Sequence, residues 1–282
     1  MYNKWYICLR KICSSLGLLF GIACAIAGGI NSAHAAMWYV ATNGAGTPGT
    51  NWNTAYTNIQ IALDAAGEND TLLVAGHTFR LTNQLQWTAR AGITIRGGYE
   101  ATNALGMPGD YDPARWPTIL TRDPAYTNRI VAINSVTNGV LENVTICGGL
   151  VNLDGGGVFV TNSPNLWLSG CIITNNQALT NAAGAIYGGG LYVGSNSSVT
   201  VSNCLIRGNQ TTSERYVESD GGGVSVALGA TATVVNCVLS RNRAYNPNIS
   251  ANARALGGAI HSAGNLLMRN CLVIKNEALH NT

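Results

Sequence analysis

From Gly155 to the C-terminus one pattern recurs four times: a glycine pair or triplet, an alternating apolar run, a cysteine, and an asparagine five residues later. The copies read GGGVFVTNSPNLWLSGCIITNNQA from Gly155, GGGLYVGSNSSVTVSNCLIRGNQT from Gly188, GGGVSVALGATATVVNCVLSRNRA from Gly221 and GGAIHSAGNLLMRNCLVIKNEA from Gly257. Cys171, Cys204, Cys237 and Cys271 follow one another at 33, 33 and 34 residues, and Asn176, Asn209, Asn242 and Asn276 keep the same register. A fainter copy, VLENVTICGG from Val140, puts Val144 in the cysteine position and has a shorter connection, Leu150 to Asp154, after it. A unit of this length cannot bury its apolar face alone, so the repeat demands stacking.

The short runs alternate, as in Val199-Thr-Val201 and Val224-Ser-Val226, which is strand periodicity with one face buried. Units with one direction and one register stack as parallel strands roughly 4.8 Å apart, and each inward position becomes a ladder. Val158, Leu191, Val224 and Ile260, with Val160, Val193 and Val226, are the aliphatic ladders, worth about 1.5–3 kcal/mol per side chain on burial. The cysteines form a stack of small apolar groups, and the asparagines can pass amide hydrogen bonds from rung to rung. The glycine triplets suit sharp bends into a strand. These features predict an all-β parallel solenoid.

The first 35 residues have the three parts of a secretory signal: Lys4, Arg10 and Lys11, an apolar run from Leu16 to Ile30, and Ala33-His34-Ala35, with cleavage expected after Ala35. Without those three residues the 16 basic side chains fall to 13, against 13 acidic ones. No basic cluster remains to neutralise a row of phosphates, so nucleic acid is excluded as a partner, and no membrane-spanning segment is expected in the mature chain. Cys8, Cys13 and Cys24 leave with the signal. Cys147 and the four repeat cysteines remain, an odd number, and their parallel Cβ vectors favour reduced, buried thiols over bridges.

Residues 36–98 read as an N-terminal cap and first strands, 99–139 as a surface excursion with the first rung, and 140–282 as the repeats. Trp38-Tyr-Val-Ala, Thr71–Val74 and Ile93–Ile95 are the early strands. Thr57 with Gln60 has the capping-box spacing, and Ile59, Ala62, Leu63 and Ala66 share one helical face that Gly67 ends, a short helix to cover the open first rung. The chain stops at Thr282 just after an asparagine turn and reads as truncated there.

With TNIQIALDAAGENDTLLVAG, ITIRGGYE, PTIL, VTNGVLENVTICGG and the GGG…NC…N units in view, the chain resembles the right-handed parallel β-helix proteins of bacterial surfaces, relatives of the polymorphic outer-membrane proteins within the pectate-lyase-like superfamily. The resemblance implies an exported passenger, often an adhesin. The sequence departs from that group by lacking a C-terminal barrel or sorting segment, and by carrying Cys-Ile/Leu/Val where a phenylalanine commonly precedes the asparagine.

Candidate chemistry is sparse. Asp154, Tyr187 and Asp220 hold one position just before the glycine triplets, so the two carboxylates stand two rungs, roughly 9.6 Å, apart. That is the wide edge of an inverting catalytic pair, and turn-forming aspartates account for the pattern more simply. Phe159, Tyr192, Ser225 and His261 form an outward stripe. Its rings can stack on sugars or lie beneath the connections, and the second reading is favoured. Arg207, Arg241 and Lys275 fall near the asparagine turn, out of register. The glycine triplets lack the Lys-Ser/Thr of a phosphate loop, Asp110 and Asp112 lack the other ligands of a calcium loop, and His77, His261 and His280 lack metal-ligand spacing, so no cofactor is expected.

The sequence therefore points to a secreted or cell-surface passenger, a monomer or part of a longer one. It is expected to be non-enzymatic, presenting the connections after each asparagine turn to a glycan or protein. The alternative is a polysaccharide-active lyase or glycoside hydrolase.

Overall fold

The computed structural model describes residues 35–102, 108–180, 184–214, 217–249 and 253–281. The secretory segment expected over 1–35 thus lies almost wholly outside the described residues. Every strand pairing between named strands is parallel, and five sheets run side by side along one axis. Sheet 1 has eight strands, from Met37–Val40 to Asn265–Arg269, and sheet 2 has seven, from Thr78–Leu81 to Leu272–Ile274. Sheet 3 has six, from Leu85–Thr88 to Ile260–Ser262.

One rung shows how the repeat is spent. Leu191–Val193 lies in sheet 3, Ser198–Ser202 in sheet 1, and Leu205–Arg207 in sheet 2. The chain then runs through Gln210–Ser213 in sheet 4 and Glu218–Asp220 in sheet 5, and the glycine triplet returns it to sheet 3 at Val224. The connections after the asparagine turn, read from sequence as loops, are therefore largely strands that stack in their own sheets. Their polar composition hid this, because Thr211 and Ser213 face inward without an apolar signature. Their tips, residues 181–183, 215–216 and 250–252, lie outside the described residues.

The interior is one continuous apolar column from Val40 through Trp87 and Leu141 to Leu239. Val158, Leu191 and Val224 are register partners with no exposed surface, followed by half-buried Ile260 in the last rung. The cysteine stack includes Val144, as the register of Ile172 on Thr145 requires. All five described cysteines are free, and the backbone N–H of Cys171 donates to Cys204 Sγ at 3.3 Å. Along the asparagine corner, Nδ2 of Asn176 donates to Oδ1 of Asn209 at 3.0 Å, Asn209 to Asn242 at 3.0 Å, and Asn242 to Asn276 at 2.9 Å.

The short helix, Ile59–Ala65, buries Ile59, Ala62 and Leu63 and packs on Met37–Val40 and Leu85–Thr88, the first strands of sheets 1 and 3. Its cap differs from the expected one. Asn58, not Thr57, is the N-cap, its Oδ1 accepting from the N–H groups of Gln60 and Ile61. Gln60 does not reach back to close a capping box; its amide donates to Asp64 and to the Gln86 carbonyl. Asparagine outranks threonine at this position, and Gln60 gains more by tying the helix to the rung beneath. Ala66 is the C-cap, and Gly67 follows it directly. A second apolar cluster lies at the start of the surface excursion, and in it Trp52 meets Tyr39 edge-on at 4.9 Å and Tyr99 at 5.9 Å.

Candidate functional site

At the glycine corner side chains of sheets 3 and 5 face each other outside the column. Gly155, Gly188, Gly221 and Gly257 all adopt the left-handed region, with φ between +61° and +69°. The chain folds back so sharply there that a Cβ on Gly155 would lie 2.8 Å from the Cβ of Phe159, and one on Gly221 would lie 2.9 Å from that of Ser225. The next glycine touches the sheet 4 backbone: a Cβ on Gly189 would come within 2.4 Å of the Gln210 carbonyl. Only glycine fits both conditions.

This reversal brings two stripes together along the solenoid. On the sheet 3 side the register runs Gln86, Ala132, Phe159, Tyr192, Ser225, His261. On the other side Tyr187, Asp220 and Leu256 are partners, and Asp154 precedes them, its Oδ1 accepting from the Tyr187 N–H at 2.9 Å. Phe159 and Tyr192 stack at 5.3 Å between centroids, Tyr187 lies 6.2 Å from Tyr192 and 6.3 Å from His261, and the Arg129 guanidinium covers Phe159 at 4.5 Å. Ser225 interrupts the rings. Beside it opens a cleft of about 410 Å³ lined by Tyr187, Tyr192, Glu218, Ser225, Leu228 and His261 among others, within the usual size of a small-molecule site.

The carboxyls beneath are far from ordinary. Burial pushes Asp154 up to about 6, against the pull of the Tyr187 N–H and of Arg129. Burial, then repulsion from Glu218, pushes Asp220 up to about 7. The Asp220 side chain is fully buried and its oxygens have no hydrogen-bond partner; the Leu256 N–H, the counterpart of the Tyr187 donor, eases the carboxylate without reaching bonding geometry. His261 Nδ1 stands 3.7 Å from Asp220 Oδ2. Tyr187 and Tyr192 are held above the ordinary phenol value, chiefly by burial, and so remain O–H donors.

A family model described as the right handed beta helix region matches residues 126–281, more than half of the chain. The chain belongs to this right-handed β-helix family. No curated protein matches it.

On this β-helix the residues singled out from sequence fall into three groups. Phe159, Tyr192 and His261 line one half-buried groove wall, and the Asp154–Tyr187–Asp220 position faces them. Asp154 and Asp220 are separated by the Tyr187 rung, and the Asp220 side chain is fully buried. The cysteine and asparagine ladders lie inside the column and away from the groove. Arg207 is out of register with the other cations, pairing with Ser240, but Arg241 and Lys275 share one corner position, each with φ of 55°. Among the described residues no group of three His, Cys, Asp or Glu side chains is placed to hold a metal ion. No described helix is long and apolar enough to cross a membrane.

Two contributors had no role in the sequence reading. Tyr187 was visible in the position before the triplet, but only the fold-back turns its ring toward Tyr192. Arg129 belongs to the faint first rung, where the repeat is too weak to align it. Its Nη2 donates to the Asp154 carbonyl at 2.9 Å, tying that rung to the groove.

Proposed function

We propose that this β-helix is an exported surface or extracellular protein that binds a glycan in the glycine-corner groove, in the manner of a passenger or adhesin. The observation that carries the reading is the cleft between Tyr192 and His261. Its walls are rings and its rim carries hydroxyl and carboxyl groups. A sugar ring has an apolar C–H face that stacks on an aromatic ring and hydroxyl edges that donate to carboxylates and exchange hydrogen bonds with serine and tyrosine. The site therefore lies along the groove rather than on the connections after the asparagine turn. Export is supported by the N-terminal segment, and a charged fraction of 10% leaves a surface solvated mainly by neutral polar groups.

The test is a glycan array probed with the chain purified after expression with its own N-terminal segment, followed by calorimetry on the best ligand. Tyr192→Ala should weaken binding about tenfold or more, a loss of about 1.4 kcal/mol. Trp167→Ala, on an exposed strand face in sheet 1, should leave it unchanged. Loss of binding in Trp167→Ala alone, or none to any glycan, would overturn the assignment.

A further inference from the structure

We propose that Ser225, His261 and Asp220 form an ester-hydrolysing site at the floor of this groove, removing small O-acyl groups from a bound glycan. The inference rests on the glycan reading above and adds an activity to it.

Ser225 and His261 are direct register partners on Val224–Val226 and Ile260–Ser262, and both line the cleft. One strand spacing, roughly 4.8 Å, separates their backbones, a range from which side chains on adjacent strands interact. Nδ1 is buried and faces Asp220, so Nε2 is the ring nitrogen that remains to act as a base. This is the order of roles in a nucleophile, base and orienting carboxylate.

The repeat does not place these three residue types together in any other described rung. Along the stack the Asp220 position is held by Asp154, Tyr187 and Leu256, and the His261 position by Phe159, Tyr192 and Ser225. A fully buried carboxyl without a hydrogen-bond partner is destabilising, and it persists here beside the one histidine of the groove. Ser225 breaks a stripe of rings at the rung where that histidine can reach it.

The chemistry balances without a metal or a redox partner. Ser225 Oγ bonds to the acyl carbonyl carbon as its proton passes to His261 Nε2, and Asp220 offsets the imidazolium charge. The ester C–O bond then breaks, and the same proton goes to the departing sugar oxygen. Water, deprotonated by His261, attacks the acyl-serine, releasing the carboxylic acid and restoring the hydroxyl. Tyr187 and Tyr192 supply O–H groups on the wall where the carbonyl oxygen gains charge. Ser225 is only 1% exposed at the floor of the cleft, which favours a short acyl group such as acetyl over a long one.

The experiment measures acetate release from an O-acetylated polysaccharide and from 4-nitrophenyl acetate, together with labelling by a fluorophosphonate located by peptide mass spectrometry. The expected result is release, with the label on Ser225. Ser225→Ala should lose the label and at least about 100-fold in turnover while its circular dichroism stays that of the parent chain. Asp220→Asn, a positioning change, should remove the rise in kcat/KM as pH climbs through about 7, where Asp220 loses its proton with Glu218, Arg254, Tyr187 and His261 around it. Glycan binding with neither release nor label, or turnover that survives Ser225→Ala, would overturn this inference and leave the binding reading standing. Absence of both binding and release would sink the two together.

Discussion

Oδ2 of Asp220 lies 3.7 Å from Nδ1 of His261 across the glycine corner, with the carboxyl side chain fully buried and the imidazole 26% exposed. The pair joins the closed interior of sheet 5 to the open groove. A carboxyl in that position is bought at the expense of stability at neutral pH, and this gives the site a thermodynamic signature.

Asp220 is raised from 3.8 to about 7 and Asp154 from 3.8 to about 6. The folded chain therefore holds more protons than the unfolded one between about pH 4 and 7, and stability falls as pH rises through that window. The contribution is complete below the unfolded value and gone above the folded one. At about 1.4 kcal/mol per unit, the Asp220 share is on the order of 4 kcal/mol. Denaturant titrations at pH 5 and pH 8 should show a weaker fold at pH 8. Asp220→Asn should flatten the difference; an unchanged difference would mean that Asp220 titrates normally.

The corner itself can be tested by contrasting two glycines. Gly189 has no room for a Cβ, which would lie 2.4 Å from the Gln210 backbone, and backbone cannot swing aside as a side chain can. Gly229, with φ of +78°, has nothing within 4 Å of such an atom. Gly229→Ala should cost about 1 kcal/mol of conformational strain, whereas Gly189→Ala should cost about 3 kcal/mol or more and splay Tyr187 away from Tyr192. Equal thermal midpoints for the two variants would show that the corner tolerates a wider path.

The column was legible because its order is periodic. Val158, Leu191 and Val224 recur at fixed spacing, and their register follows from the spacing alone. The connections were not. Gln210–Ser213 and Glu218–Asp220 pair with their equivalents through backbone hydrogen bonds, which the sequence does not encode at single positions. The groove was half legible: alternation placed Phe159, Tyr192 and His261 on one outward stripe. What it lacked was the sign of the corner. Left-handed φ at Gly188 and Gly221 folds the Tyr187–Asp220 stripe onto the rings, and a glycine triplet is equally compatible with a turn that splays them. The N-cap of the helix was displaced by one residue because Thr57 and Asn58 are both competent caps and only the chain path selects between them.

Cys204 should accept valine with a loss of about 1 kcal/mol or less, since Val144 already occupies the same stack and the volumes are close. Alkylation in denaturant without reductant should label every cysteine of the mature chain, whereas in native buffer half-buried Cys147 and Cys271 should react ahead of the three buried thiols. A pair that escapes alkylation until reduced would establish a bridge between rungs and overturn the free-thiol ladder.

The asparagine ladder should show its worth by position. Asn209 Oδ1 accepts from the Asn176 N–H at 3.1 Å, and its Nδ2 donates to the Ile173 carbonyl at 2.9 Å, both buried. Asn209→Ala strips the partner from each of these backbone groups where water cannot replace it, for a loss of roughly 3–5 kcal/mol. Asn276 in the last rung makes the same bonds to the Asn242 N–H and the Leu239 carbonyl but is only partly buried, so solvent can substitute. Asn276→Ala should cost less than half as much in the same denaturation experiment. If the two losses are equal, the ladder acts through chain geometry at the turn rather than through its buried amides.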